Sequence, residues 1–221
     1  MLKFDTPAPL TAILDIPAGR IRLIAADRTD TTVEVLPADP VKNRDVKAAG
    51  QVTVTLTDGV LHIEAAPPKN RIVGNSGAVE VTVQLPAGSH VRAKTAAGEL
   101  RGVGRLGDVT FEGAQGTVKL DETAGAHLTL QAGDLTLHRL TGPARISTQQ
   151  GHITITEAVR GTVELRTQAG DITIGAARGV SAALDAGTSS GRINNALQNT
   201  GAPELTVHAT TAYGDITARS L

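Results

Sequence analysis

Residues 144–175 read ARISTQQGHITITEAVRGTVELRTQAGDITIG, and this stretch decides the fold. It contains two copies of one pattern, in which an alternating run of apolar and polar residues is followed by a glycine and a second alternating run. Gly151 and Gly170 open the phrase Gly-x-Ile-Thr-Ile in the two copies, 19 residues apart. Strict alternation is typical of a half-buried β-strand, whose successive side chains point to opposite faces. Each copy therefore predicts two short strands joined by a glycine turn.

The same pattern continues on both sides of this stretch. Successive turn glycines are 18, 17, 18, 19, 21 and 23 residues apart, and they are Gly98, Gly116, Gly133, Gly151, Gly170, Gly191 and Gly214. Numbered from the glycine, the first strand covers positions −7 to −3 and the second covers +1 to +4. Glycine adopts positive φ without a Cβ clash, so we interpret all seven as structural turn residues.

Three positions of the repeat are apolar in every unit. Position +2 is Leu100, Val118, Leu135, Ile153, Ile172, Ile193 and Ile216. Position −5 is Ala93, Phe111, Leu128, Ile146, Leu165, Ala186 and Ala209, and position −7 is Val91, Val109, Ala126, Ala144, Val163, Leu184 and Val207. A composition with 40% hydrophobic residues would fill only about eight of these 21 places by chance. These positions are therefore predicted to face a common core.

A single unit is too small to bury its own apolar face, so the units must stack. Repeats of this length without helical periodicity predict an all-β fold, a right-handed parallel β-solenoid (β-helix) of about seven coils over residues 76–221. We expect the coils to stack in sequence order. Threonine recurs at position −3, where its hydroxyl can bond to the stacked neighbour, at Thr95, Thr148, Thr167, Thr188 and Thr211.

Residues 1–75 are predicted to form an N-terminal, strand-rich, antiparallel cap, which belongs with the coils to one continuous structural domain. The run QVTVTLTDGVLHIEA predicts a hairpin with its turn at Asp58-Gly59. The segment Ala65 to Gly77 has two prolines and no periodicity, so we interpret it as an exposed loop between cap and coils. At the other end we expect the last coil to present a bare edge that supports self-association.

The recurring Gly-Asp-Ile-Thr phrase at Gly170 and Gly214, and the Leu-Pro-Ala-Gly entry at Leu85 to Gly88, resemble the bacterial putative-adhesin family of β-strand repeats. The resemblance covers almost the whole chain. It implies a right-handed β-helix with a strand-rich N-terminal part, which agrees with the prediction from the repeat. The family is one of unknown function, and the resemblance implies no catalytic residues.

Composition narrows the range of functions. The chain has no cysteine, which excludes disulfides, thiol catalysis and cysteine-ligated metals. With 21 basic and 22 acidic residues it has no basic excess, so we expect no nucleic-acid partner. The sequence contains neither a secretory signal pattern nor an apolar run of membrane-spanning length, so we expect a cytoplasmic protein without membrane insertion. The six histidines show no metal-ligand spacing, and we predict no metal and no cofactor.

The outward position +1 carries the strongest candidate for a site. From the third unit onward its charges alternate, at Asp134, His152, Asp171, Arg192 and Asp215. Sequential stacking would place a protonated His152 beside Asp134 and Asp171, and Arg192 between Asp171 and Asp215. We interpret the column as an exposed ion ladder that prevents misregister.

Two functional hypotheses follow. The first is a non-enzymatic interaction scaffold that binds a protein partner or itself, through the C-terminal coil or an outer sheet face. The alternative is a carbohydrate-binding or carbohydrate-active β-helix in which Asp134, His152, Asp171 and Arg192 act as acid/base pair and substrate clamp. Three aromatic residues cannot line a sugar-binding groove, and no long insertion walls off solvent, so we favour the scaffold and predict no enzymatic activity.

Overall fold

The computed structural model describes residues 1–66 and 77–221. It is nearly all strand, in one sheet, with a single short helix in the described part, α1 (Asn43–Ala49). The strands are β1 (Leu2–Asp5), β2 (Thr11–Asp15), β3 (Ala18–Ala26), β4 (Asp30–Pro37), β5 (Val52–Thr57), β6 (Val60–Ala65), β7 (Val79–Pro86), β8 (His90–Ala132), β9 (Leu135–Leu140), β10 (Ala144–Gln150), β11 (Ile153–Ala158), β12 (Gly161–Arg166), β13 (Ile172–Ala176), β14 (Ala182–Ser190), β15 (Ile193–Ala196), β16 (Leu205–Tyr213) and β17 (Ile216–Ser220).

The repeats stack as parallel coils with two faces, which confirms the predicted solenoid. Strands before the turn glycines form the first face, where β10 pairs in parallel with both β8 and β12. Strands after the glycines form the second face, where β11 pairs in parallel with β9 and β13. β8 is one continuous element that covers the units of Gly98 and Gly116 and the first strand of the unit of Gly133. The right-handed sense of the coil stays a prediction.

Equivalent repeat positions lie in register above one another. Ile153 is opposite Leu135 on one side and opposite Ile172 on the other, and all three side chains are fully buried. Phe111, at position −5, is also fully buried. Each such side chain contributes roughly 1.5–3 kcal/mol through its removal from water, so the aliphatic columns supply most of the stabilisation. The predicted inward columns are therefore confirmed in the interior of the stack.

The glycine turns are required by how closely the coils approach each other. Gly170 has a φ of +149°, and a Cβ atom there would collide with the backbone carbonyl of Gly151 in the adjacent coil. Beside this contact, the Thr167 hydroxyl donates a hydrogen bond of 3.1 Å to the same carbonyl oxygen of Gly151. The hydroxyls of Thr148, Thr188 and Thr211 donate to turn-glycine carbonyls of neighbouring coils in the same way, and that of Thr95 donates to the Pro17 carbonyl. The prediction that these threonines bond to the neighbouring coil is therefore confirmed.

The last two coils do not stack in sequence order. β16 pairs with both β12 and β14, and β17 pairs with both β13 and β15. The final coil of the chain, residues 205–220, is therefore inserted between the coil of Gly170 and the coil of Gly191. The expectation of sequential stacking is wrong at this point, and so is the expectation that the last coil forms the bare edge. That edge belongs to β14 and β15.

The polarity of one inward position favours this order. Position +4 holds Ile155 and Ile174 in two interior coils, both fully buried, and the fully buried Ala218 in the inserted coil. The coil of Gly191 has Asn195 there instead, and this side chain is exposed at the edge, where its Oδ1 accepts the Leu197 N–H at 3.1 Å. Burying an amide among aliphatic side chains costs about 1–3 kcal/mol, so the coil that carries it is favoured at the end of the stack.

The N-terminal region mixes parallel and antiparallel pairing. β2 and β3 pair in parallel with β8, so residues 11–26 add a coil to the stack. The hairpin of β5 and β6 is antiparallel, as predicted, and its turn residues Asp58 and Gly59 have φ values of 50° and 75°. Antiparallel β4 pairs with β7 and β1. The division into residues 1–75 and 76–221 stays a prediction, and residues 67–76 of the predicted loop lie outside the described residues.

Helix α1 was not predicted from the sequence. It packs against β4 and β7, and the carboxylate of its buried residue Asp45 accepts the Ala78 N–H at 3.0 Å. Seven residues give too few turns for a helical periodicity to stand out among strands.

Candidate functional site

The outward column at position +1 exists, but its order differs from the prediction. Parallel register places Asp134, His152 and Asp171 on consecutive coils. Asp215 follows Asp171, and Arg192 lies outermost, because the last coil is inserted beneath β15. The prediction that Arg192 lies between Asp171 and Asp215 is therefore wrong. Two carboxylates are neighbours where alternating charges were expected.

Main-chain hydrogen bonds hold this column together. In each step the backbone N–H of one coil donates to the side chain of the coil before it. The distances are 2.8 Å from His152 N to Asp134 Oδ1, 3.0 Å from Asp171 N to His152 Nδ1, 2.8 Å from Asp215 N to Asp171 Oδ1 and 2.8 Å from Arg192 N to Asp215 Oδ1. Because a carboxylate accepts an N–H at each of three steps, the adjacent acids are bridged by main-chain donors.

His152 occupies this column as an acceptor. An Nδ1 atom that accepts the Asp171 N–H cannot itself carry a proton, so the arrangement requires the neutral ring with its proton on Nε2. The predicted protonated His152 is therefore incompatible with this hydrogen bond. The Nδ1 atom also lies 3.5 Å from Asp171 Oδ2.

The column ends at Arg192. Its guanidinium has no acceptor atom, so a further coil at this edge would find no partner for its turn N–H. The side chain is 91% exposed, and its Nε lies 3.6 Å from Asp215 Oδ2 in a long ion pair. Arg192 therefore offers no acceptor through which a further coil could continue this column of hydrogen bonds.

A second charged column lies on the outside of the first face, at position −6. In space its order is Arg145, Glu164, His208 and Asp185. Arg145 Nη2 and Glu164 Oε2 are 2.9 Å apart, and His208 Nδ1 and Asp185 Oδ2 are 3.3 Å apart. The hydrogen bond from Arg145 lowers the pKa of the Glu164 carboxyl below its ordinary value. Sequential stacking would instead have placed Glu164 beside Asp185.

Three of these side chains, Arg145, Glu164 and His208, line a shallow depression of about 420 Å³ on the first face, together with Ser147, Arg166 and Thr210. Arg145 and Glu164 are paired with each other there, and their side chains are 64% and 46% exposed. Such a surface suits contact with a complementary polar surface more than it suits enclosure of a small molecule.

The turn at the opposite corner of the coil is also held by hydrogen bonds between side chains and turn backbone. These bonds were not predicted from the sequence. The N–H of Asp108 donates to His90 Nδ1 at 3.0 Å. The buried Thr123 hydroxyl lies 2.6 Å from the Gly107 carbonyl oxygen and 2.7 Å from that of Gly125. The signal in the sequence was a second series of glycines, at Gly88, Gly107 and Gly125, about 18 residues apart. Both corners are therefore held by side chains that bond to turn backbone.

Within residues 1–66 and 77–221, no three His, Asp or Glu side chains converge in a way that could hold a metal ion. In the same part of the chain, no helix has the length and apolar character needed to cross a bilayer.

Comparison with known proteins identifies the fold family. The family model Toastrack DUF4097 matches residues 14–220. The chain aligns over 98% of its length with 95% of a putative adhesin from Bacteroides fragilis, at 17% identity and a TM-score of 0.57. Two further structures align over similar shares. A putative cell adhesion protein from Clostridium sporogenes (100% of this chain, 98% of that chain) has 13% identity and a TM-score of 0.42. A putative lipid binding protein from Parabacteroides distasonis (98% and 95%) has 11% identity and a TM-score of 0.46.

No match was found among curated protein sequences. At 17% identity, the Bacteroides fragilis structure shows a shared fold and nothing about its ligands. The family match extends over nearly all of the solenoid described above. The chain belongs to the Toastrack DUF4097 family.

Proposed function

We propose that this protein is a non-enzymatic interaction scaffold, an adhesin-like β-solenoid that binds a protein partner or a second copy of itself. The observation that carries the proposal is the bonding of the outward column. Asp134, His152 and Asp171 are the side chains best placed for chemistry, and each accepts a backbone N–H from the next coil. Their role in this arrangement is to maintain the register of the stack.

A catalytic role would compete with that structural role. A general acid or base must gain and lose a proton at an atom within reach of the substrate. The Nδ1 atom of His152 and the Oδ1 atoms of Asp134 and Asp171 accept main-chain N–H groups, which leaves only His152 Nε2 and the two Oδ2 atoms for proton transfer. His152 and Asp171 are also more than half exposed, so water reaches both and weakens their influence on each other.

The outer faces supply the surface for recognition. On the first face, Arg145, Glu164, His208 and Asp185 form a regular row in which basic and acidic side chains alternate. Rows of this kind contribute more to the selection and orientation of a partner than to affinity. A stiff solenoid holds such a row in fixed geometry, which reduces the entropy lost when a partner docks.

The experiment that tests the proposal is an activity screen of the purified protein against a panel of neutral and acidic polysaccharides. The wild type and the Asp171→Ala variant are both expected to be inactive. Turnover by the wild type that disappears in Asp171→Ala would overturn the scaffold and favour the carbohydrate-active alternative. Saturable binding without turnover in a glycan array would instead favour a carbohydrate-binding role.

The cellular location expected from the sequence stays a prediction. Fractionation of the native host, followed by immunodetection, would test it. Recovery in the soluble cytoplasmic fraction is the expected result, and recovery at the cell surface would contradict it.

A further inference from the structure

We propose that the outer edge of β5 pairs, antiparallel, with β5 of a second copy of this chain, so that two solenoids form a two-fold symmetric dimer. The inference rests on the proposed scaffold function and specifies one partner and one surface for it. This surface lies at the N-terminal end of the stack, opposite the edge that β14 and β15 form, whereas the sequence led us to expect self-association at the C-terminal coil.

The β5 edge is open in the part of the chain that the structure describes. β5 pairs antiparallel with β6, and no other strand within residues 1–66 and 77–221 pairs with it. Its inward residues Val52, Val54 and Leu56 are only half-buried, whereas Leu61 and Ile63 on β6 are fully buried. The core is therefore incompletely covered at this end, beside an edge of unpaired backbone groups.

The sequence of β5 lacks the features that normally protect an edge strand. Val52–Thr57 reads VTVTLT, without charge, proline or glycine. Natural edge strands usually carry charges, proline or a bulge to prevent pairing with another chain. The opposite end of the stack has such protection, because Asp185 and Arg192 have side chains that are 83% and 91% exposed. The two ends thus differ in their capacity to accept a new strand.

The β5 edge is also complementary to itself. A two-fold axis through Val54 places Val52 opposite Leu56 of the second copy, and Thr53 opposite Thr55 of the second copy. Apolar residues then meet on the core side and threonines meet on the solvent side, which are favourable cross-strand pairs. A shift of the pairing by one residue would bring valine opposite threonine, so the alternation itself selects the register. No like charges face each other in this pairing.

The test measures oligomeric state by sedimentation equilibrium across a concentration series. The wild type is expected to dimerise. The double variant Thr53→Lys/Thr55→Lys places lysine opposite lysine twice across the axis and should weaken the dimer by roughly tenfold or more. The matched control, Thr129→Lys/Gln131→Lys, adds the same charge at two exposed positions of β8 that have the same spacing along the strand, and it should dimerise like the wild type. Circular dichroism melts of all three proteins check that folding is unchanged.

A second variant locates the axis directly. Because the chain has no cysteine, Val54→Cys introduces a single thiol, which would lie opposite its own copy and form an intermolecular disulfide on mild oxidation. Thr129→Cys is the control and should stay uncross-linked. A monomeric wild type at all concentrations, or a dimer that survives Thr53→Lys/Thr55→Lys, would overturn the proposed interface. Neither result bears on the polysaccharide screen, so failure of the dimer and failure of the scaffold function are distinguishable.

Discussion

The coil of Gly170 and the coil of Gly191 are built from the same phrase, yet they occupy different environments. Ile172 and Ile193 both follow the turn glycine by two residues. Ile172 is fully buried between two neighbouring coils, whereas Ile193 is 46% exposed at the end of the stack. The phrase therefore specifies the shape of a coil. The place of a coil in the stack depends on the free-energy cost of exposing one of its sides to solvent. This cost is reduced for the coil of Gly191, because its inward-facing position +4 holds the polar residue Asn195.

The most decisive test of this comparison determines the order of the coils by disulfide cross-linking. A disulfide between two introduced cysteines either forms or does not form, so the result is unambiguous. Thr173 lies opposite Thr217, and Asn194 lies on the far side of Thr217. The pair Thr173→Cys/Thr217→Cys should therefore form an intramolecular disulfide. The pair Thr173→Cys/Asn194→Cys should not, because about 10 Å separates strands that are two apart. The reverse result, measured by mobility on a non-reducing gel, would restore sequential stacking.

The largest energetic difference is expected for aspartate at the two isoleucines. Ile172→Asp places an unpaired charge inside the stack and should lower the free energy of unfolding by about 3–5 kcal/mol. Ile193→Asp should cost roughly 1 kcal/mol or less, because water still reaches the edge. Denaturant unfolding measures both.

Thr173→Asp is the outward-facing control for this pair, and it should also cause only a small loss in the free energy of unfolding. Equal destabilisation by Ile172→Asp and Thr173→Asp would mean that the inward and outward assignment is incorrect.

Two glycines provide a smaller contrast. Gly170→Ala forces a Cβ atom against the Gly151 carbonyl at a positive φ, and the backbone conformation alone should cost about 1–3 kcal/mol. Gly187→Ala, in the outer strand β14, meets no atom within 4 Å and should be neutral or slightly stabilising. Thermal unfolding of the two variants measures the difference. A destabilising Gly187→Ala would indicate that another coil covers this edge.

The smallest effect concerns Glu164, whose neighbours in the −6 column follow from the interleaved order. The hydrogen bond from Arg145, aided by the charges of His208 and Arg166, holds its pKa below the ordinary value of 4.5. Because the folded pKa is the lower one, ionised Glu164 stabilises the fold above about pH 4.5, and this contribution disappears as the pH falls through the folded pKa.

Titration of Glu164 by NMR should show that Arg145→Ala raises its pKa toward the ordinary value. The accompanying change in stability should be small, since the pair is exposed. An unchanged pKa in Arg145→Ala would show that the two side chains do not form the ion pair in solution.

Much of the fold could be predicted from local pattern. The alternation around Gly151 and Gly170 predicted which side chains face inward, and Asp58-Gly59 predicted the antiparallel hairpin, because strand periodicity and turn conformation depend on residues close in sequence. Helix α1 could not be found in this way, since it is too short to show a period. Of the candidate site, the column itself was predictable from the repeat. Its hydrogen bonds from main-chain N–H to side chain were not, because they depend on the exact approach of neighbouring turns.

The amino-acid sequence by itself determined that the chain forms stacked coils with aliphatic columns inside and polar columns outside. Only the tertiary structure decided which coil lies at the end, and hence that Asp215 neighbours Asp171 while Arg192 closes the column. The physical reason is that inward or outward orientation is a property of each strand alone. The order of the coils depends on which of several nearly identical units occupies the end of the stack. The free-energy cost of burying the Asn195 amide favours the coil of Gly191 at that end.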